Sequence, residues 1–239
     1  KTYSLTLPEW KDSEYKSISY INVLNALLQY ASVDPSEVTL RKNFARIGIV
    51  PGQRFDSTAF TPEVLAAIKS GVVDGENELE ASVSKTTNSL DLFGTRAELQ
   101  NNYVKRATAA AMGLFGNTKE EAIYVGSMLD SKEQPLTGGH KYQLRFTKAQ
   151  LPVVEFFWSI TLYGLPQRYL VENPINRYSI GDRTRGLKYE SNGDLVIYLQ
   201  STSPGKGKEN NWLPAPAAGP YNYVIRMYGP GKSVITGEW

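Results

Sequence analysis

The chain has 239 residues, 41% of them hydrophobic, which is enough apolar material for a real core and enough length for one large β-rich domain or two ordinary ones. Its 26 basic and 24 acidic residues leave a net charge of only +2 with no run of like charges, so no long-range field favours a polyanion and nucleic acid is not expected as a partner. The absence of cysteine removes thiol catalysis, thiolate metal sites and disulfides together, and leaves the compartment open.

No stretch reaches the ~18 apolar residues that a membrane span needs, so none is expected. The first residues, Lys1-Thr2-Tyr3-Ser4-Leu5-Thr6-Leu7, lack a signal-peptide core and an initiator Met. Their alternation predicts a strand and a chain that enters in mid-fold. Residues 12–129 are mainly helical in pattern. Ile18, Ile21, Leu24, Leu27 and Leu28 recur at helical spacing behind Asp12-Ser13, and Asp34-Pro35-Ser36-Glu37 is a capping box with Pro at the first helical position, for a helix that stops near Gly48. Thr61-Pro62-Glu63 opens a third helix that carries Val64, Leu65 and Ile68 and continues past Gly71 and Gly75 to Val83. Thr95-Arg96-Ala97-Glu98 is another capping box. It predicts one helix with Leu99, Tyr103, Ala107, Ala110, Ala111 and Leu114 packed under a sheet until Gly116 stops it.

After Gly116 the hydrophobic period changes from 3.6 to 2. Strands are expected at residues 122–129, 141–146, 154–163, 187–189, 195–200 and 221–228, separated by turn chemistry such as Ser191-Asn192-Gly193-Asp194 and Gly229-Pro230-Gly231. Tyr142, Leu144 and Phe146 share one face, with Gln143 and Arg145 on the other, whereas residues 195–200 are apolar enough to be covered on both faces. The fold class is therefore α+β. An N-terminal helical segment, residues 1–120, precedes an antiparallel, jelly-roll-like β-sandwich over residues 121–239.

Residues 151–188 are the densest in chemistry. An aromatic strand, Phe156-Phe157-Trp158-Ser159-Ile160-Thr161-Leu162-Tyr163, leads into Asn173-Pro174-Ile175-Asn176-Arg177-Tyr178-Ser179-Ile180-Gly181-Asp182-Arg183-Thr184, where turn residues surround two arginines and an aspartate. Glu155 and Asp182, with Arg177, are the candidate catalytic residues, since two carboxylates converging on a cleft can perform glycoside hydrolysis or other acid/base work. Alternatively, these side chains tie down a long connection, with Asp182 buried against Arg177 or Arg183. Arg177, Tyr178, Asp182 and Arg183 are candidate ligand-binding residues. So are Asn211 and Trp212, because Asn210-Asn211-Trp212-Leu213-Pro214-Ala215-Pro216 holds an aromatic ring on a stiff backbone, displayed for a sugar or peptide or packed over an edge.

The remaining devices are weak. His140 is the single histidine and lies beside Gly138-Gly139 in a hairpin turn, so neither a His-based relay nor a metal centre is expected, and no cofactor. Gly231-Lys232-Ser233 resembles the end of a phosphate loop, but Arg226 stands where its first glycine belongs and no helix is expected to follow. Pro204-Gly205-Lys206-Gly207-Lys208 is a basic glycine loop that either touches an anion or is simply solvated.

Asn173-Pro174-Ile175-Asn176-Arg177-Tyr178, Ile180-Gly181-Asp182-Arg183, Leu187-Lys188-Tyr189, Gly193-Asp194-Leu195 and Asn211-Trp212-Leu213-Pro214-Ala215-Pro216 form an ordered series that closely resembles the domain of unknown function 1214. Upstream, Ala45-Arg46-Ile47-Gly48-Ile49-Val50-Pro51-Gly52 and the helix ending at residues 103–116 resemble the connector from its companion, the domain of unknown function 1254. Arg185 departs from that pattern, in which Pro or another residue is common. The resemblance implies a C-terminal β-sandwich behind a helical connector, in bacterial proteins that are often exported and self-associate, and no established reaction. The expectations are a homo-oligomer, periplasmic or extracellular rather than cytoplasmic, that binds a small molecule, carbohydrate or protein. A metal-independent hydrolase or lyase and a purely structural assembly module are the alternatives.

Overall fold

The computed structural model describes residues 7–9, 11 and 14–239. The strand expected at residues 2–7 and the Asp12-Ser13 helix start fall on residues outside that set, Leu7 apart. The chain divides into two compact units, Lys1–Ala81 and Ser82–Trp239.

The first unit is helical. Helices α1 (Tyr20–Leu28), α2 (Val38–Ala45) and most of α3 (Pro62–Lys85) are built on the expected patterns, and α3 does run through Gly71 and Gly75. Ile21, Ile49 and Ile68 form the centre of its core, with Leu24, Leu28, Phe44, Phe55 and Phe60 packed around them. Asp34 receives the Ser36 amide, so Pro35–Glu37 forms a single 3-10 turn before α2 begins. Asn25 is fully buried, and its Nδ2 donates to the carbonyls of Gly48 and Gln53, both at 3.0 Å. That clamp fixes the chain reversal at Gly48, where φ is +78° and a Cβ would meet the Phe55 ring at 2.9 Å.

The second unit begins with helical segments that differ from expectation. Residues 95–116 form two helices rather than one: α4 (Arg96–Leu99), closed by the Thr95–Glu98 capping box, and α5 (Tyr103–Met112). The break lies at Gln100, with φ +48° and ψ −137°, and Asn102 then starts a new helix by accepting the Lys105 amide at 3.0 Å. The buried face of α5 is Thr108 and Ala109, while Ala107, Ala110, Ala111 and Leu114 are exposed. The expected core face is therefore wrong, because the reset at Asn102 rotates the helix. Thr108 Oγ1 reaches Ser82 Oγ at 2.7 Å and the Val104 carbonyl at 2.8 Å.

The strands are β1 (Ala122–Ser127), β2 (Tyr142–Phe146), β3 (Val154–Gly164), β4 (Tyr169–Leu170), β5 (Ser179–Gly181), β6 (Leu195–Gln200), β7 (Trp212–Pro214) and β8 (Tyr221–Pro230). A five-stranded sheet runs β1-β8-β3-β4, with β5 also on β3, and a three-stranded sheet runs β2-β6-β7. All pairings are antiparallel except β6 with β7, which is parallel. The two sheets form a sandwich-like arrangement. Between them lie Ile123, Trp158, Ile160, Leu162, Ile225 and Met227 of the larger sheet and Phe146, Leu195, Ile197, Leu199 and Leu213 of the smaller. On a bookkeeping basis each such side chain contributes about 1.5 to 3 kcal/mol by leaving water, so this core dominates the unit's stability. Residues 187–189 are not a strand, and Lys232–Ile235 forms a short helix, α6, where none was expected.

Candidate functional site

The connection from β4 to β6 carries most of the residues singled out in the sequence, and its polar side chains bond chiefly to backbone. Asn173 is buried, donates to the carbonyls of Val171 and Arg177 at 3.0 Å each, and accepts the Arg177 amide at 2.9 Å. This closes a loop around Asn176, where φ is +49°. Arg177 Nη1 donates to the carbonyls of Glu209, Asn210 and Trp212 at 2.7, 3.2 and 2.9 Å. Gly181 closes β5 against Ser159, and the turn begins after it, with the Gly181 amide on Thr184 Oγ1 at 2.9 Å.

Asp182 is exposed, and its Oδ1 accepts the Trp158 amide at 3.1 Å. Among the described residues no ion pair joins it to Arg177 or Arg183, contrary to the expected buried pair. Arg183 donates to the Phe156 carbonyl at 3.2 Å and lies 4.3 Å over the Phe157 ring, which is stacked on Tyr228 at 4.5 Å. Glu155 is exposed where the β3–β8 register shifts between Val154 and Phe157, and Tyr178 is exposed on the connection. Burial, and after it the charge of Asp182, pushes the Tyr189 hydroxyl above its ordinary range.

Asn211 and Trp212 are interior residues. Asn211 accepts the Lys188 amide at 2.8 Å and donates to the carbonyls of Lys188 and Val196 at 2.6 and 2.9 Å. Trp212 is 5% exposed and its Nε1 donates to the Gln200 carbonyl at 2.7 Å. The ring is packed rather than displayed, because β7 pairs alongside β6 and brings Trp212 next to Tyr198. His140 lies exposed in its turn, and among the described residues no three His, Cys, Asp or Glu side chains gather where a metal ion could sit.

Two concave features lie elsewhere in this unit. A crevice of about 380 Å³ is lined by Lys85, Thr86, Asn88, Asp91, Asn102 and Lys105 among others. A second hollow, of about 230 Å³, is lined by Lys141, Gln143, Tyr198, Ser203 and Lys208 among others. Of these residues only Lys208 carries a sequence signal for binding, through the basic glycine loop. Gln143 and Tyr198 are legible in the sequence only as alternating strand residues.

Exposed apolar side chains occur at many places among the described residues, and four of them flank the end of α5 and the β3–β4 hairpin. Leu114 is 70% exposed, Phe115 98% and Tyr169 75%, with Leu170 also exposed. Arg168 Nη1 donates to the Ala111 carbonyl at 3.2 Å, which brings the end of α5 to the β3–β4 hairpin. The signal for this patch is Leu114-Phe115 directly before the Gly116 stop, of which Leu114 alone reads as the end of a buried stripe.

A comparison with curated proteins gives no match. Among solved structures, the VPA0106 protein of Vibrio parahaemolyticus is 31% identical, over 98% of this chain and 56% of its own, with a TM-score of 0.66. This chain thus spans little more than half of that relative's length. A protein from Burkholderia cenocepacia is 14% identical over 58% of this chain and 42% of its own, with a TM-score of 0.33. No helix among the described residues is long and apolar enough to cross a membrane. Residues 121–232 match the family described as Protein of unknown function (DUF1214), which supports a DUF1214 domain in the C-terminal part of this chain.

Proposed function

We propose that this chain is a non-enzymatic binding and assembly module that self-associates through the patch formed by Leu114, Phe115, Tyr169 and Leu170. The observation that carries the reading is Phe115, a phenylalanine 98% exposed next to the exposed Leu114, with the exposed Tyr169 and Leu170 on the hairpin that Arg168 ties to the end of α5. Clustered apolar surface of that kind favours association with a complementary face. The hydrolase or lyase alternative draws less support. Arg177 is bonded to three carbonyls and Asp182 to a main-chain amide, so both have structural tasks. Residues 1–120 correspond in this reading to the end of the companion domain 1254. That assignment rests on the family resemblance, and the VPA0106 match, over 98% of this chain, adds only that the helical segment and the sandwich occur together in that protein. Export to the periplasm or cell exterior rests on the family resemblance.

Sedimentation velocity over a hundredfold concentration range tests the assembly reading. The wild type should sediment as a dimer or larger species, and Phe115→Asp as the 26.6 kDa monomer with an unchanged thermal midpoint. A wild type that remains monomeric throughout would remove the proposal.

A further inference from the structure

The hollow at Tyr198 stands apart from the apolar patch in residues and in chemistry. Gln143 and Tyr198 face each other across β2 and β6, and Trp212 follows on β7 in register with Tyr198, so one outward row runs Gln143, Tyr198, Trp212. The last of these is buried, while Tyr198 is half-buried and forms part of the wall of the hollow. Lys141 enters from the start of the β2 edge and Lys208 from the glycine loop, and no carboxylate lines the cavity.

Two lysines and no carboxylate line the hollow, and the neighbouring Glu209 turns its carboxylate to Ser203 Oγ at 3.4 Å and the Gly207 amide at 3.2 Å rather than to either lysine. The Lys208 Nζ lies 5.3 Å over the Tyr198 ring, and among the described residues neither lysine has an acidic side chain within ion-pair distance. An ammonium held by an aromatic face keeps its charge available to an incoming anion. Gln143 adds a neutral polar group suited to hydroxyls, and Ser203 Oγ, which donates to Glu209 at 3.4 Å and accepts the Gly205 amide at 3.1 Å, keeps a second lone pair for one. Gly205 and Gly207 have φ of +95° and +89° with no atom within 4 Å of a would-be Cβ, so the loop bearing Lys208 stands clear of its surroundings. A volume of about 230 Å³ lies below that of sites for drug-sized ligands and matches a single ring.

We propose that this hollow binds an acidic sugar residue, a hexuronate, with its carboxylate on Lys141 and Lys208, its hydroxyls on Gln143 and Ser203, and its C–H face toward Tyr198. A sugar fits better than a bare anion because neutral hydrogen-bonding groups and a flat aromatic wall accompany the charge. It fits better than an aromatic acid because the lining is mostly polar.

Isothermal titration of the full chain with trigalacturonate, maltotriose and sodium sulfate tests this. Trigalacturonate should bind, at least tenfold more weakly in Lys208→Ala or when salt rises from 20 to 300 mM, and maltotriose should bind at least tenfold more weakly than trigalacturonate. Lys208 is exposed, so its loss should leave the fold intact, and Tyr198→Ala should weaken binding by a similar factor. Lys208→Ala should not alter sedimentation, which keeps the outcome separate from the assembly reading. Equal binding of maltotriose, sulfate as strong as trigalacturonate, no trigalacturonate binding at millimolar concentration, or binding indifferent to Lys208→Ala would each overturn the proposal.

Discussion

The Nη1 of Arg177 and the main-chain carbonyl of Trp212 are 2.9 Å apart, which ties the β4–β6 connection to the first residue of β7. The same nitrogen serves Glu209 and Asn210, so one charged donor gathers three carbonyls just before a parallel strand begins. Parallel pairing of two strands close in sequence needs an intervening loop held in place. Hydrogen bonds to charged groups are worth about 1.5 to 3 kcal/mol, and Arg177→Ala should therefore lower unfolding free energy by about that much in urea. Arg177→Lys should restore part of it, since an ammonium reaches fewer of these acceptors at once. Equal stability of all three proteins would show that the clamp holds nothing.

Much of the sandwich was legible because its strands obey a period of two. Residues 142–146 alternate as expected, and residues 195–200 are covered on both faces apart from Tyr198, which is half-buried. What escaped depends on side chains acting as backbone partners. Residues 187–189 have strand composition, yet Lys188 has both its amide and its carbonyl bonded to the Asn211 side chain, so no second strand pairs there. Nothing local announces that an asparagine some twenty residues on will play that part. Trp212 stays open between display and packing in the sequence for a related reason: flanking prolines reveal a stiff backbone but not the face it presents. The α4–α5 break was more readable, since Asn101-Asn102 before Tyr103 is a helix-start signal that the apolar stripe overrode.

A pH dependence follows from Asp194. Its carboxylate takes a 2.7 Å bond from Arg145 Nη2 and the Lys148 amide at 2.9 Å, and Arg145 first, then the Lys148 amide, hold it below the usual carboxylate range. A carboxyl depressed in the folded state adds stability that is complete above its unfolded value of about 3.9 and is lost as pH falls through the folded one. The thermal midpoint should accordingly fall below about pH 4. In Asp194→Asn it should be lower at pH 7 and fall less steeply with acid, so the two curves should converge near pH 2. Other depressed carboxyls, Glu98 and Asp130 among them, act in both proteins, so the difference between the curves isolates Asp194. Parallel curves down to pH 2 would contradict the assignment.

Asp182 distinguishes a structural role from a chemical one without knowledge of any substrate. A buried ion pair with Arg177 or Arg183 would make its loss cost ~3 to 5 kcal/mol. The side chain is instead exposed and serves the Trp158 amide, in the stretch of β3 that pairs with β5 through Ser159 and Gly181. Asp182→Ala removes the acceptor of one main-chain donor, which costs about 1 to 2 kcal/mol. Asp182→Asn retains an amide oxygen at the same position, so its loss should stay below about 0.5 kcal/mol, the size of an ordinary surface substitution. A carboxylate kept for acid/base work gives another pattern, with the midpoint unchanged or raised in both variants because functional groups are often retained at a cost to stability. The expected order of thermal midpoints is wild type, then Asp182→Asn close behind, then Asp182→Ala clearly lower. Both variants at or above wild type would move the hydrolase reading to first place, with Glu155→Gln as the next substitution to make.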